Sequence, residues 1–163
     1  MALLNNTCTY AIRAALQVAT DRPIPGDFVS TRRIAEELDV SFAFLTKVLQ
    51  GLTQNGILLS QRGAAGGVAL ARSADTITLL EVLAAVGGDA VFRDCVLGLP
   101  SCSDTTPCAL HHAWREQRAR LETIFTQTTL ADLAAGGRTS ILSDEPRPVA
   151  PTKSRGASRR RAS

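Results

Sequence analysis

The chain has 163 residues, a length that predicts one domain with at most a short extension. Its 45% hydrophobic content is ordinary for a globular protein, and its 4% aromatic content predicts an aliphatic, mainly helical core. The formal net charge is +3, but five cations and no anions lie in 153–163, so the rest of the chain is near neutral. Any nucleic-acid-binding surface is therefore expected to be a local patch.

The apolar residues form no run of ~18, which argues against a membrane-spanning helix. The first residues also lack the charged region, apolar region and cleavage site of a signal peptide. We therefore expect a cytoplasmic protein. In that compartment, clustered cysteines are more often metal ligands or redox groups than disulfides.

The first third of the chain predicts a helix-turn-helix. Asn6 or Thr7 is suited to cap a first helix that ends near Pro23. A second helix is expected over 31–38, and a third over 41–55 with apolar residues at helical spacing. Two short helices joined by a tight turn form the helix-turn-helix pattern, and its second helix is the recognition helix.

A hairpin is predicted directly after this recognition helix. Strands are expected over 57–60 and 68–71, joined by a glycine-rich turn. This placement is typical of the wing in a winged helix-turn-helix. Arg62 and Gly63 lie in the turn, where small residues allow the backbone to approach a groove closely and an arginine can enter a narrow minor groove.

Exposed residues of the predicted helix-turn-helix and wing are candidates for DNA binding. Lys47 is suited to contact a phosphate or a guanine edge, and Thr46 a base edge or a thymine methyl group. Arg32 and Arg33 are expected to contact phosphates, although a solvated helix face explains either one almost as well. The full candidate set is Arg32, Arg33, Ser41, Phe42, Ala43, Thr46, Lys47, Arg62 and Gly63.

Three of the chain's four cysteines cluster in the second half, at Cys95, Cys102 and Cys108. Six residues separate the first pair and five the second, and His111 follows shortly after. Glycine, proline, serine and threonine fill the gaps. The pattern predicts a loop that can wrap its thiolates around one metal centre.

A long helix is expected to run from Cys108 to about Gln127, capped by Thr106 with Pro107 at its first position. Cys108 would then lie in the first turn of the helix, where the helix dipole lowers the pKa of a thiol. His111 would follow at i+3 on the same face. One helical turn would thus offer a sulfur and a nitrogen to one centre. A long amphipathic helix at this place is typical of a dimerisation helix.

The donor set suits an iron–sulfur cluster, [2Fe-2S] or [4Fe-4S], because clusters prefer soft thiolates. Zinc is the rival metal, since three cysteines and a histidine form a structural zinc set, but zinc sites usually space their cysteines more closely. An enzyme with Cys108 as nucleophile and His111 as base is a weaker hypothesis, because no oxyanion device or orienting carboxylate is evident. Cys8, on an apolar helix, is expected in the core.

The chain resembles the Rrf2 family of bacterial winged-helix regulators, whose members include IscR-, NsrR- and RirA-type proteins. The resemblance covers about 4–135. It rests on the segments TYAIRAAL, RRIAEEL, SFAFLTKVLQGLTQNGIL, RGAAGGVALAR, ITLLEVLAAVGG and TLADL, together with the three-cysteine loop.

This resemblance implies a homodimer that binds a palindromic operator in double-stranded DNA, with recognition helices in the major grooves. It also implies a cluster on the three cysteines. In IscR-like members a histidine three positions after the last cysteine is the fourth ligand, which here is His111. In some NsrR-like members an acidic residue from the partner's first helix serves instead; Thr9 at that position is a poor iron ligand, and Cys8 stays an alternative. An acid of IscR-like members is replaced by Thr46, which leaves the operator sequence open.

We therefore predict a mainly α fold with a small β-hairpin. It comprises a winged helix-turn-helix domain (1–88), a cysteine loop with a dimerisation helix (89–136), and a disordered basic tail (137–163). The predicted function is a cluster-containing transcription regulator that responds to redox state, nitric oxide, iron or cluster status, and not an enzyme. The alternative is a cluster-free regulator with a zinc or thiol switch. Cluster type, signal, operator and the direction of regulation stay open.

Overall fold

The computed structural model describes residues 3–22, 24–63 and 66–136. In these ranges it contains six α-helices and one antiparallel hairpin: α1 (Asn6–Asp21), α2 (Thr31–Glu37), α3 (Phe42–Gln54), β1 (Leu58–Gln61), β2 (Gly67–Leu70), α4 (Leu79–Ala84), α5 (His111–Gln127) and α6 (Leu130–Ala135). Short 3-10 helices lie at Ala74–Thr76 and Asp89–Phe92. The predicted helix end at Pro23 and the predicted disordered tail at 137–163 lie outside the described residues.

The core is built around α1, whose small side chains allow its neighbours to approach closely. Ala11, Ala14, Ala15 and Val18 are completely buried on this helix. It packs against α3, α4 and α6, so helices from both ends of the chain share one aliphatic core. None of the helices in the described ranges combines the length and apolar character that a membrane span requires.

Local side-chain caps set where the first helices begin. Ser41 caps α3, since its Oγ accepts a hydrogen bond from the N–H of Phe44 at 3.2 Å. The prediction of Asn6 or Thr7 as the cap of α1 is wrong. The cap is Asn5, whose side-chain oxygen accepts a first-turn N–H at 2.9 Å.

The predicted hairpin is confirmed, with each strand displaced by one residue. Its register runs from Leu58 opposite Leu70 to Gln61 opposite Gly67. Val29 pairs with the second strand through two backbone hydrogen bonds to Val68 of 2.8 and 2.9 Å. The base of the wing is thereby attached to the segment that leads into α2.

The long helix α5 begins at His111, three residues later than predicted. Thr106 does not cap it, because its hydroxyl donates instead to the carbonyl of Ser101 at 2.5 Å. Cys108 therefore precedes the helix, and the argument that the helix dipole acts on its thiol is wrong. The residue at the N-cap position of α5 is Leu110, which provides no side-chain cap.

Beyond α5 the chain returns to the core. Thr129 caps α6 in a reciprocal arrangement with Asp132, and Leu130 is completely buried among residues of the N-terminal helices. Thr129 also pairs with Thr78 in a short antiparallel bridge. The C-terminal end of α5 is thus attached to the core. The domain boundary at residue 88 stays a prediction.

Gly67 carries a testable consequence of the wing attachment. A Cβ at this position would lie 2.0 Å from the carbonyl oxygen of Val29, so the backbone itself would have to move. We expect Gly67→Ala to lower the free energy of unfolding by about 2 kcal/mol, measured by chemical denaturation. Ser60→Ala, on the exposed face of β1, is the control and should leave the midpoint unchanged. Equal midpoints for both variants would contradict the close approach.

Candidate metal centre and nucleic-acid interface

The cysteine loop is a succession of turns that carry its thiols to one place. Turns at 95–98, 99–102, 103–106 and 108–111 are each closed by a hydrogen bond from the fourth N–H to the first carbonyl, at 2.9–3.2 Å. Gly98 has a φ of 66°, a conformation that favours glycine. The three cysteines open or close these turns, so the chain reverses at or next to each thiol.

The three cysteine sulfurs converge. The Sγ atoms of Cys95, Cys102 and Cys108 all lie within 4.8 Å of one another, and those of Cys95 and Cys108 are 3.7 Å apart. Two ligands on one tetrahedral ion with metal–sulfur bonds of ~2.3 Å lie about 3.8 Å apart. No other group of three such donor residues meets this spacing in the described part of the chain. The arrangement fits a metal centre.

Backbone amides next to the thiols stabilise negative charge on sulfur. The N–H groups of Leu99 and Leu97 hydrogen-bond the Cys95 thiol and lower its pKa to about 7. Cys102 accepts from the N–H of Cys108, but desolvation and the two neighbouring thiols outweigh this contact and raise its pKa. Three thiolates this close repel one another. A bound cation would remove that repulsion.

His111, at the start of α5, lies beside this group and next to Cys102. Its side chain is 8% exposed, and its Nδ1 lies 3.2 Å from the Sγ of Cys102. Its Nε2 lies 2.9 Å from a carboxylate oxygen of Asp104, which also accepts from Arg115 at 2.6 Å. The hydrogen bond from His111 and the charge of Arg115 keep the pKa of Asp104 below its usual range. The imidazole is therefore held on both sides.

Two further side chains of α5 attach the loop to the helix. The indole N–H of Trp114 donates to the carbonyl of Asp94 at 2.9 Å. The guanidinium of Arg118 donates to the same carbonyl at 3.1 Å and to that of Arg93. These carbonyls directly precede Cys95, so its position depends on α5.

Cys8 lies apart from this group, in the apolar core. Its side chain is 1% exposed and packs with Leu83 and Phe92. Burial raises the pKa of its thiol, which disfavours the thiolate that a metal ligand must supply. A Cβ at Gly88 would lie 2.3 Å from the Cys8 sulfur, which shows how tightly the thiol is enclosed. These observations support the packing interpretation of Cys8.

The predicted DNA-binding residues lie on the first turn of α2, at the N-cap and first two turns of α3, and on the wing, and all of them are exposed. Phe42 is 52% exposed at the start of α3. An open groove of about 360 Å³ separates α3 from the wing. It is lined in part by Thr31, Phe42, Thr46, Ser60 and Arg62. A groove between a recognition helix and a wing arginine is suited to a nucleic-acid backbone.

The arginines of α2 differ in their partners. Arg33 forms ion pairs with Glu37 at 2.7 Å and with Asp21 at 3.3 Å, which favours a structural role. Arg32 lies over the ring of Phe42, 5.8 Å from its centroid, and so faces the start of α3. Within the described ranges, no hydrogen bond or ion pair engages the side chain of Lys47, which leaves its ammonium group available to a phosphate.

A helix-turn-helix followed by a hairpin wing is the architecture of winged-helix transcription regulators. This chain has a separate group of cysteines in addition. The family model Rrf2, described as an iron-dependent transcriptional regulator, matches residues 4–136, and the chain belongs to this family. The resemblance inferred from sequence is confirmed. Regulators of this family bind DNA.

Curated relatives agree with this assignment. The chain is 38% identical over 129 residues to a helix-turn-helix-type transcriptional regulator of Mycobacterium tuberculosis, covering 78% of each protein. It is 31% identical over 127 residues to the transcriptional regulator IscR of Yersinia pestis, covering 76% of this chain and 74% of that one. These relatives are regulators of transcription, which confirms that the chain is not an enzyme.

Solved structures confirm the fold. CymR, the global cysteine regulator of B. subtilis, superposes with a TM-score of 0.67 at 24% identity, covering 83% of this chain and 98% of that one. IscR of T. potens superposes with a TM-score of 0.62 at 22% identity, covering 82% and 86%. The mainly α fold with a small hairpin is thus that of winged-helix regulators.

Sequence reasoning missed the residues that hold the centre in place. The expectation that no carboxylate orients His111 is wrong, because Asp104 does so at 2.9 Å. Asp104 had no distinctive signal among the polar residues of the loop. Trp114 and Arg118 did have a sequence signal, since together with His111 they recur at helical spacing. A helix face that packs against the core shows the same pattern, however.

The thiols should differ in reactivity in the reduced, metal-free protein. At pH 7 we expect iodoacetamide to modify Cys95 before Cys102 and Cys8, because the pKa of Cys95 is lowered to about 7 and those of the other two are raised. Peptide mass spectrometry after timed quenching measures the three rates. Raising the pH should narrow the gap, and denaturant should abolish it. Faster labelling of Cys102 would contradict the assigned hydrogen bonds.

Proposed function

We propose that this protein is a cytoplasmic, homodimeric transcription regulator whose affinity for its operator depends on an iron–sulfur cluster. Cys95, Cys102, Cys108 and His111 would hold the cluster. The observation that carries this proposal is the convergence of three sulfurs within 4.8 Å, with the His111 Nδ1 3.2 Å from one of them. Membership of a family described as iron-dependent supports iron as the metal.

The ligand set would make the centre responsive. A bound cluster supplies a group that oxidants, nitric oxide or iron limitation can alter. A neutral imidazole in place of a fourth thiolate leaves the site less negative and raises the reduction potential. His111 is also a weaker, protonatable ligand, so the site has one position from which a ligand is more easily displaced. The backbone amides that donate to Cys95 would stabilise its thiolate if His111 were displaced.

The route from this centre to the DNA runs along α5. Trp114 and Arg118 attach the carbonyls before Cys95 to the first half of the helix. Leu121 and Phe125 in its second half pack against the buried apolar side chains of Cys8, Leu83 and Phe92 in the core. Loss of the metal would release the turns and shift α5 relative to the DNA-binding helices. By linkage, if the cluster changes the affinity for the operator by some factor, operator binding changes the affinity for the cluster by that same factor.

The same helix supports the proposal of a homodimer. α5 is 17 residues long, yet His111 is its only buried residue, and Ile124 is 56% exposed. A two-fold contact between two copies of α5 would cover this face. Two recognition helices would then enter successive major grooves of a palindromic operator, with Thr46 near base edges and Lys47 and Arg62 beside the phosphate backbone. A shift of α5 would change the spacing of the two helices.

One observation favours a second candidate function. The 3.7 Å between the sulfurs of Cys95 and Cys108 is the spacing of two ligands on one tetrahedral ion, and Cys102 and His111 would complete a zinc set. Ligands on different irons of a cluster lie farther apart. The protein would then be a cluster-free regulator with a structural or thiol-switched zinc.

Metal analysis separates the two functions. Protein purified without oxygen should contain iron and acid-labile sulfide and show the visible absorption of an iron–sulfur cluster. We expect Cys102→Ser to lose both, because it removes a central thiolate. Cys8→Ser is the matched control and should keep them, since Cys8 is enclosed in the core. Stoichiometric zinc without sulfide would establish the second function, and protein with no metal would contradict both.

Salt dependence tests the proposed DNA contacts. We expect Lys47→Ala and Arg62→Ala each to weaken binding and to reduce the slope of log affinity against log salt by about 1, because each removes one phosphate contact. Fluorescence anisotropy measures this on a duplex selected from a random library by the holoprotein. Arg22→Ala is the control, since Arg22 is exposed at the end of α1 and pairs with Asp27. An unchanged slope in both test variants would contradict the proposed interface.

A further inference from the structure

We propose that Asp104 is the positioning residue of His111, and that it makes Nδ1 the imidazole atom that faces the metal. This inference rests on the proposed function, because it requires a metal centre on the three cysteines. It adds to that function a residue outside the ligand set and the choice of ligating atom. Three contacts carry it: Asp104 with His111, Asp104 with Arg115, and His111 with Cys102. Together they link the loop at 102–104 to the first two turns of α5.

The tautomer follows from the partners of the ring. A neutral imidazole has one N–H donor and one bare nitrogen, whereas a carboxylate can only accept. With Nε2 2.9 Å from the Asp104 carboxylate, the proton lies on Nε2. Nδ1 then presents its lone pair to the cysteine sulfurs, 3.2 Å from Cys102. Without Asp104, the opposite tautomer would place an N–H against Cys102, and Nδ1 would then have no lone pair with which to bind a metal.

The carboxylate is itself held in place. Its Oδ1 accepts from both His111 and Arg115, the latter at 2.6 Å. Arg115 lies four residues after His111 and so projects from the same side of α5. One helix therefore presents both the imidazole and the cation that positions its carboxylate. This matters because the Asp104 side chain is 71% exposed and would otherwise be free to turn into solvent.

The backbone next to Asp104 is constrained as well. The hydroxyl of Ser103 contacts those of Thr105 and Thr106, each at 2.9 Å. Thr106 donates in turn to the carbonyl of Ser101. Asp104 thus projects from a closed turn with its own hydrogen bonds. The carboxylate, the imidazole and the sulfurs form a continuous chain of the kind that orients histidine at metal sites, where its loss typically lowers metal affinity ~10–100-fold.

Two substitutions separate orientation from charge. Asp104→Asn keeps an oxygen that can accept from Nε2, but it removes the negative charge next to the ring. Asp104→Ala removes both. Asp94→Ala is the matched control, because it removes an exposed carboxylate next to Cys95 and keeps the backbone carbonyl to which Trp114 and Arg118 donate. Since Asp104 is exposed, we expect all three variants to fold, which circular dichroism checks.

The experiment uses oxygen-free holoprotein labelled with ¹⁵N-histidine. Pulsed EPR of the reduced cluster measures the histidine nitrogen coupling, a redox titration measures the potential, and transfer to a chelator measures metal release. We expect Asp104→Ala to lose or alter the coupling and to release metal ~10–100-fold faster. Asp104→Asn should retain the coupling with a higher potential, because the carboxylate makes the ring more electron-rich. Asp94→Ala should match wild type in coupling and release.

Several results would overturn the inference. One is an Asp104→Ala variant that equals Asp94→Ala in coupling, potential and release rate. Another is a wild type with a cluster but no histidine coupling, which would leave the cluster function standing without His111 as a ligand. A wild type that binds no metal would overturn the proposed function together with the inference. With zinc in place of a cluster, the proposed function would fail, and equal zinc release from Asp104→Ala and Asp94→Ala would overturn the inference separately.

Discussion

The contact between His111 Nδ1 and the sulfur of Cys102, at 3.2 Å, joins the cysteine loop to the helix on which the rest of the site depends. His111 is the first residue of α5, and Trp114 and Arg118 follow it at helical spacing. Each of these side chains contacts the loop. The loop contains four turns but no helix or strand of its own over 95–110, so its shape depends on groups that α5 supplies.

This arrangement supports the proposed role of α5 as the connection between the cysteine loop and the core. Its first two turns hold the loop, its second half packs on Leu83 and Phe92, and the chain after it returns to the core at Leu130. A rigid helix attached at both ends transmits a change at one end to the other, since packed elements shift between discrete arrangements more readily than they deform. Phe125 has a direct part in this link, with its ring 5.3 Å from that of Phe92.

The DNA-facing side depends on a different constraint, the close approach of backbone at the wing. Gly67 allows β2 to lie against Val29, which leads into α2, so the wing and the helix-turn-helix are attached to each other. Val68, which pairs with Val29, also lines the groove between α3 and Arg62, so the attachment reaches one wall of that groove. The cysteine loop and the DNA-facing side thus rest on the same core around α1. Side chains of α5 hold the loop, and the close approach at Gly67 holds the wing.

The sequence by itself determined the helix-turn-helix, the wing, the long helix, the family and the cluster of cysteines, because helical periodicity, capping residues, glycine-rich turns and short spacings are local patterns. Only the tertiary structure decided that α5 begins at His111, that Thr106 bonds within the loop, and that Asp104 and Arg115 orient the imidazole. It also enclosed Cys8 among Leu83 and Phe92. These outcomes depend on how close the loop and α5 come to one another when successive turns fold back on the helix. The spacing of residues along the sequence does not encode how close they come.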